Sequence, residues 1–154
     1  MSSDLMPVAE NSIRAIDSLV ANEFVLEIDG EAVSGIFAIS GLISFKLEVK
    51  TTNQLKKSPE TFKIRKMVQR DPHSAFNQWL RETQQAGIDI VRPTRTLTIV
   101  AVDDGVPIRR WIVKKAWVSE LSYSDFNTAS SEMVEEVVTV RYEDIEESWP
   151  LLDA

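Results

Sequence analysis

Thr96-Leu97-Thr98-Ile99-Val100-Ala101-Val102 runs into Asp103-Asp104-Gly105, and Ile108-Arg109-Arg110-Trp111-Ile112-Val113-Lys114-Lys115-Ala116-Trp117 follows the turn. Reading this stretch decides the fold class. Both flanks are rich in β-branched and aromatic residues, and the break holds a Gly that tolerates positive φ. Together these features predict a β-hairpin. The returning strand continues through Leu121-Ser122-Tyr123 towards a loop ending at Glu132, and a last strand spans Met133 to Tyr142. In that last strand Val134, Val138, Val140 and Tyr142 make an apolar face, while Glu135, Val137, Thr139 and Arg141 make a half-polar one. A strand with one wet face fits a wall facing solvent or a lumen.

Upstream, Phe24, Leu26 and Ile28 share a face and lead into Asp29-Gly30, a second two-residue hairpin turn. The expected return is Ala32 to Ile39. After Ser40-Gly41, the residues Leu42, Phe45, Leu47 and Val49 alternate with polar ones and predict a half-buried strand, with a bulge or bend beside the glycine. Thr51 to Pro59 reads as a lysine-bearing loop, and Phe62, Ile64 and Met67 or Val68 as the next strand. Asp71-Pro72 reads as an N-cap followed by proline at N1. Ala75, Phe76, Trp79, Leu80 and Thr83 then form one helical face, and Gly87 ends the helix. Ile13, Ile16, Leu19 and Val20 suggest a short helix over Ser12 to Ala21, which would need a docking surface to persist.

The expected fold is therefore mainly β with one core helix: an antiparallel barrel or sandwich of about seven strands. The helix packs on one end or edge, and a short N-terminal helical extension precedes the core. The 154 residues make one domain by size. We expect an extension over 1–21, a barrel domain over 22–147 and a tail over 148–154.

Two strands of resemblance run through these residues. Arg110-Trp111, Lys115-Ala116-Trp117, Asn127, Ala129, Ser131-Glu132 and Glu136 follow an acidic-Gly turn in the order seen in tail tube proteins of contractile-tailed phages. The opening segments Phe24-x-x-Glu27-Ile28-Asp29-Gly30 and Phe37-x-x-Ser40-Gly41-Leu42 are similar to the same family, as is Trp79-Leu80 within the helix. The chain thus resembles tail tube proteins and the inner tube proteins of related contractile injection systems over roughly residues 23–145. It departs from them at Ser58-Pro59-Glu60, where the family has Pro-Gly, and at Gln69-Arg70-Asp71, where it has Lys-Arg-Gly. The resemblance implies a structural subunit rather than an enzyme. It implies hexameric rings of this chain around a central channel, stacked into an inner tube. The implied partners are a surrounding sheath protein, baseplate or tip proteins, and DNA or effector cargo in the lumen. Assembly would take place in the bacterial cytoplasm, and the product would be part of a virion tail or injection particle.

Charge points to self-association independently. Between Lys46 and Arg70 eight basic residues stand against Glu48 and Glu60, whereas between Ser119 and Ala154 ten acidic residues stand against Arg141 alone. Opposite patches can pair between copies head to tail, or both can be solvated surfaces of one subunit. The first reading makes Lys46, Lys50, Lys56, Lys57 and Lys63 one half of a subunit or ring interface and Glu143, Asp144, Glu146 and Glu147 the other. A second expectation is that acidic residues line the channel and keep acidic cargo from sticking. The net charge of −7 argues against a general nucleic-acid binder.

Catalytic and metal chemistry find little purchase. With no cysteine and one histidine, disulfides, cysteine-based metal sites and multi-histidine sites are excluded. Asp71 and His73 beside Arg70 lack a nucleophile, and the helix start already accounts for Asp71. Asp103-Asp104-Gly105 lacks the further oxygen ligands of a calcium loop, and no Gly-rich phosphate loop occurs. No cofactor is expected. Trp111 and Trp117 read as core residues rather than a stacking platform. No apolar run approaches membrane-spanning length, Met1-Ser2-Ser3-Asp4 lacks a signal-peptide layout, and no membrane partner is expected. The competing class is a monomeric β-barrel holding a small ligand inside.

Overall fold

The computed structural model describes residues 23–49, 55–57 and 60–152. The expected helix over Ser12 to Ala21 lies outside the described residues. Ten strands and one helix follow in order: β1 (Phe24–Ile28), β2 (Glu31–Val33), β3 (Ile36–Ser40), β4 (Leu47–Val49), β5 (Leu55–Lys57), β6 (Glu60–Met67), α1 (Ala75–Ala86), β7 (Arg95–Asp103), β8 (Val106–Tyr123), β9 (Glu135–Tyr142) and β10 (Asp144–Ser148). Eight strands form one antiparallel sheet in the order β2-β1-β7-β8-β9-β6-β3, with β10 pairing on β8; β4 and β5 form a separate hairpin. The path ends at β2 and at β3. The sheet is open: the mainly β, antiparallel core with one helix is as expected, whereas the expected barrel or sandwich is not borne out.

Both predicted two-residue turns are present. Asp29 and Gly30 have φ of 48° and 86°, and Asp104 and Gly105 have 49° and 79°. Two successive positive φ values match the twist of the flanking strands, so Ile28 faces Glu31 and Asp103 faces Val106 directly. Asp29 is also tied to the next strand: its carboxylate accepts from the Thr96 amide at 2.9 Å, and its own amide donates to the Thr96 carbonyl at 2.8 Å.

The long strand β8 holds the two halves of the sheet together. Its first half pairs with β7 on one side and β10 on the other, and its second half pairs with β9. Two irregularities let it turn. Lys115 has φ of 54°, at the register shift opposite Thr96, and a second shift falls between Val118 and Glu120. Each adds one residue to the strand. Buried positions therefore run Val113, Ala116, Val118 rather than in strict twos, and the core face is kept through the bends.

The expected return strand over Ala32 to Ile39 is in fact two strands. Gly35, at φ 80°, breaks it, so that β2 stays with β1 while β3 pairs with β6. A Cβ at Gly35 would lie 2.6 Å from Met67 Cγ, so the break also lets the backbone pass close to β6. The helix begins three residues later than expected. Ser74 is the N-cap and accepts from the Asn77 amide, whereas the Asp71 carboxylate accepts from the His73 amide in a local turn. Gly87 caps the far end as expected. Phe76, Trp79 and Leu80 are buried, and Trp79 Nε1 donates to the Pro93 carbonyl at 3.0 Å.

The core draws on both halves of the sheet and on α1: Leu26, Ile28, Phe62, Ile64, Leu97, Val113, Val138 and Val140 meet Phe76 and Trp79. Trp111 is half-buried and packs against this core, whereas Trp117 is half-buried outside it, a correction to its expected core placement. The inward face of β6 continues as Phe62, Ile64 and then Lys66, not Met67, and that of β9 starts with Glu136 before Val138. Lys66 and Glu136 face each other in register. Lys66 Nζ lies 2.6 Å from Glu136 Oε1, donates to the Met67 carbonyl at 2.9 Å, and sits 4.8 Å from the Phe76 ring centre. The lysine is fully buried and the glutamate 4% exposed.

A buried charge left without its partner costs far more than an intact pair contributes. Glu136→Ala or Lys66→Ala alone should therefore lower unfolding free energy by about 3–5 kcal/mol in urea titrations, and Lys66→Met with Glu136→Leu should lose much less. A double variant that loses as much as the two single variants added together would show that the charges are not coupled.

Candidate subunit interface

The described residues expected at an interface lie at the β4–β5 hairpin, on β6 and around β10. Tyr142, at the end of β9, is 5% exposed, and its hydroxyl donates to the Ile43 carbonyl at 2.6 Å, which anchors the root of the β4–β5 hairpin. Beyond that root the hairpin pairs only with itself: Leu47 faces Lys57, Glu48 faces Lys56 and Val49 faces Leu55. Period two puts Leu47, Val49 and Leu55 on one face. Alternation predicted half-burial for Phe45, Leu47 and Val49, but all three are exposed, Val49 by 76%, and so is Leu55, which lies on a strand where a loop was expected. The alternation is real, yet these side chains stay exposed and pack under no strand or helix among the described residues. An apolar stripe left bare on a projecting hairpin marks a contact surface.

Lys46 lies 3.8 Å from Glu60 and is exposed. Lys56 and Lys57 belong to β5, Lys63 is exposed on β6, and Lys50 is outside the described residues. The acidic set sits on and beside β10, which among the described residues pairs with β8 alone. There the carboxylates already meet cations of their own chain. Glu146 is 2.6 Å from Lys114, Glu143 is 3.5 Å from Lys115, and Glu147 is 4.0 Å from Arg109 while accepting from Trp111 Nε1 at 3.0 Å. The Glu146 hydrogen bond raises the Lys114 pKa. Arg109 in turn stacks 3.6 Å from the Trp149 ring centre. Asp144 stands across from Lys114 in register. Lys46 comes near, sharing a small recess with Glu60, Tyr142, Glu143 and Asp144.

Sequence reasoning missed a third exposed feature, the loop between β8 and β9. Phe126 is 80% and Met133 65% exposed there. With Met67, Val68, Tyr123 and Val134 they line an apolar recess of about 320 Å³. Its only sequence signal is a pair of large apolar residues inside an otherwise polar loop.

With this geometry in view, a family model described as T4-like virus tail tube protein gp19 matches residues 20–146. The chain belongs to this tail tube family. It is a structural protein of the tail tube type. Its fold is shared with solved chains at low identity. One, from an extracellular contractile injection system (the PVC sheath–tube complex in the extended state), is 13% identical, with 92% of this chain and 99% of that chain covered at a TM-score of 0.65. A chain of the anti-feeding prophage tube-terminating cap is 15% identical, with 86% and 91% covered at 0.65. Hcp1 from Flavobacterium johnsoniae is 9% identical, with 82% and 95% covered at 0.52. No curated protein matches the tube chain in sequence.

Burial raises the pKa of the Tyr142 phenol, Glu60 adds to the rise, and the Ile43 contact opposes it. Burial, then Glu136, raises Tyr123. The fold therefore favours both neutral phenols. Their contribution to stability is complete below the ordinary tyrosine pKa of about 10 and is lost above it, as the unfolded chain ionises first. Ultraviolet titration should place both transitions above pH ~10 in the native protein and near 10 in denaturant. Tyr142→Phe should remove one of the two.

Proposed function

We propose that this tube protein is the repeating subunit of the inner tube: copies close into hexameric rings, and rings stack around a central channel through which DNA or effector cargo passes. The rings would assemble in the bacterial cytoplasm, with a sheath protein around them and baseplate or tip proteins at their end. Residues 22–147 form the tube domain, flanked by 1–21 and 148–154.

The observation that carries this reading is the bare β4–β5 hairpin on a chain of the tail tube family, together with the open sheet edges at β2, β3 and β10. Unpaired edges are templates for a neighbouring chain, and an apolar projecting hairpin suits a subunit contact. The hairpin lysines Lys46, Lys50, Lys56, Lys57 and the nearby Lys63 are assigned to that contact. The β10 edge with Glu143, Asp144, Glu146 and Glu147 is assigned to the neighbouring one. Many weak contacts repeated around a ring would add avidity. A ligand-binding barrel gains no support, because Phe76 and Trp79 fill the space between the sheet halves at 0% exposure.

Negative-stain electron microscopy with a solution mass from the same sample tests the proposal. Six-fold rings or hollow tubes are expected. A chain that stays monomeric at every concentration and salt would count against the ring and return the ligand-binding barrel to consideration. Lys56→Glu with Lys57→Glu should reduce ring formation at least several-fold while leaving the monomer's melting temperature unchanged. Normal tubes from that variant would remove the hairpin lysines from the interface.

A further inference from the structure

We infer that the face of the sheet turned away from the core, over β8, β9 and β6, binds a single nucleic-acid strand, with its phosphates on Lys63 and Arg141 and a base on Trp117. This goes beyond the tube reading and concerns a surface that one chain carries by itself.

Register builds the face. Phe62 and Ile64 on β6, Val138 and Val140 on β9, and Ala116 and Val118 on β8 all belong to the core. Side chains alternate along a strand, so the residues between and beside them share the opposite face. Trp117 pairs with Arg141, and Arg141 pairs on its other side with Thr61. Lys63 pairs with Thr139, one step along the same two strands, which puts it diagonal to Arg141 at about 7–8 Å. Arg65 follows Lys63 on the same side of β6, roughly 7 Å further on. Lys63, Arg65 and Arg141 are exposed, and Trp117 is half-buried.

Charge selects an anion for this face. Neither Lys63 nor Arg141 meets a carboxylate among the described residues. Arg65 pairs with Glu135 at 2.5 Å, which neutralises the acid at that end. Glu120 is the other acid on the face. It stands across from Thr139 on β8, two strands from Lys63 and so roughly 10 Å away. An anionic strand therefore runs obliquely from Trp117 over Arg141 to Lys63, clear of Glu120. Thr61 and Thr139 flank that line with hydroxyl donors for phosphate oxygens. Lys63 lies on β6 and not on the hairpin, so it serves this face whether or not the hairpin meets a neighbour. The net charge of −7 on the whole chain confines binding to this patch and makes it weak at physiological salt.

Trp117 selects among anions. A half-exposed indole beside an arginine can stack an unpaired base while the guanidinium holds the neighbouring phosphate. A run of acidic side chains offers no ring to stack, and a duplex keeps its bases inside. The geometry thus favours a single strand over both.

Fluorescence anisotropy of a labelled oligothymidine on the full-length chain tests this, with the matching duplex and polyglutamate as competitors. The single strand should bind at low salt, and roughly two to three phosphate contacts should give a slope of about −1.4 to −2.1 in log affinity against log salt. Lys63→Glu with Arg141→Glu should weaken binding about tenfold or more. Trp117→Ala should weaken it about fivefold or more, and Trp117→Phe should keep most of it. Glu120→Gln should tighten it by removing a repulsive charge. Circular dichroism melting checks that each variant folds, and Lys63→Gln with Arg141→Gln repeats the test if the reversed charges unfold the sheet. No binding at low salt would overturn the inference, as would binding untouched by the Lys63 and Arg141 changes. So would a duplex or polyglutamate that competes as well as the single strand. Ring formation is not read in this assay, so each of those outcomes leaves the tube reading standing.

Discussion

Lys66 and Glu136 form an ion pair inside an apolar core, and the centre of the fold depends on it. β6 and β9 bring two opposite charges to facing positions, with the Phe76 ring over the ammonium group. Low polarity around the pair strengthens their attraction and makes a lone charge untenable. A slip of β6 against β9 by one residue would turn Lys66 outward and strand Glu136 among Val138, Phe76 and their neighbours. The pair thus fixes register in a strand pair whose other contacts, Val against Ile and Phe against Val, discriminate poorly between registers. It also ties α1 to the sheet, since Phe76 is the first buried residue of the helix.

Much of the fold could be read from residues because their requirements are local. Asp29-Gly30 and Asp104-Gly105 announce tight hairpins by their need for positive φ, and Gly87 ends the helix for the same reason. Leu26 and Ile28, or Val138 and Val140, announce a core face by spacing alone. The ion pair escaped notice because a period-two reading discards charged residues from inward positions: Met67 was preferred to Lys66, and Glu136 was seen only as part of a family pattern. Asp71-Pro72 imitated a helix start because an aspartate satisfies an amide two residues on in a turn as readily as at a cap. Ala32 to Ile39 looked continuous because nothing local says that Gly35 hands the chain to another partner strand.

The candidate interface was legible in a different way. Counting charges located a basic segment and an acidic one, and each holds exposed residues, such as Lys46 and Glu146, beside one member of the buried pair, Lys66 or Glu136. The counts could not say which carboxylates were already engaged. That depends on β10 lying along β8, which places Glu146 beside Lys114 and Glu147 beside Arg109. Nor could alternation distinguish a strand half-buried in its own chain from one whose apolar side is bare. The β4–β5 hairpin has the pattern of the first and the environment of the second.

The bend of β8 at Lys115 has a mechanical consequence. One unbroken backbone serves as a rung in both halves of the sheet, so a shearing load between the halves pulls along covalent bonds rather than across a ladder of hydrogen bonds. Failure under such a load would begin by peeling at the margins, where β2, β3 and β10 are held from one side only among the described residues. A neighbour that grips those margins would close the weakest seams of the subunit, and the assembled object would be stiffer than its isolated parts.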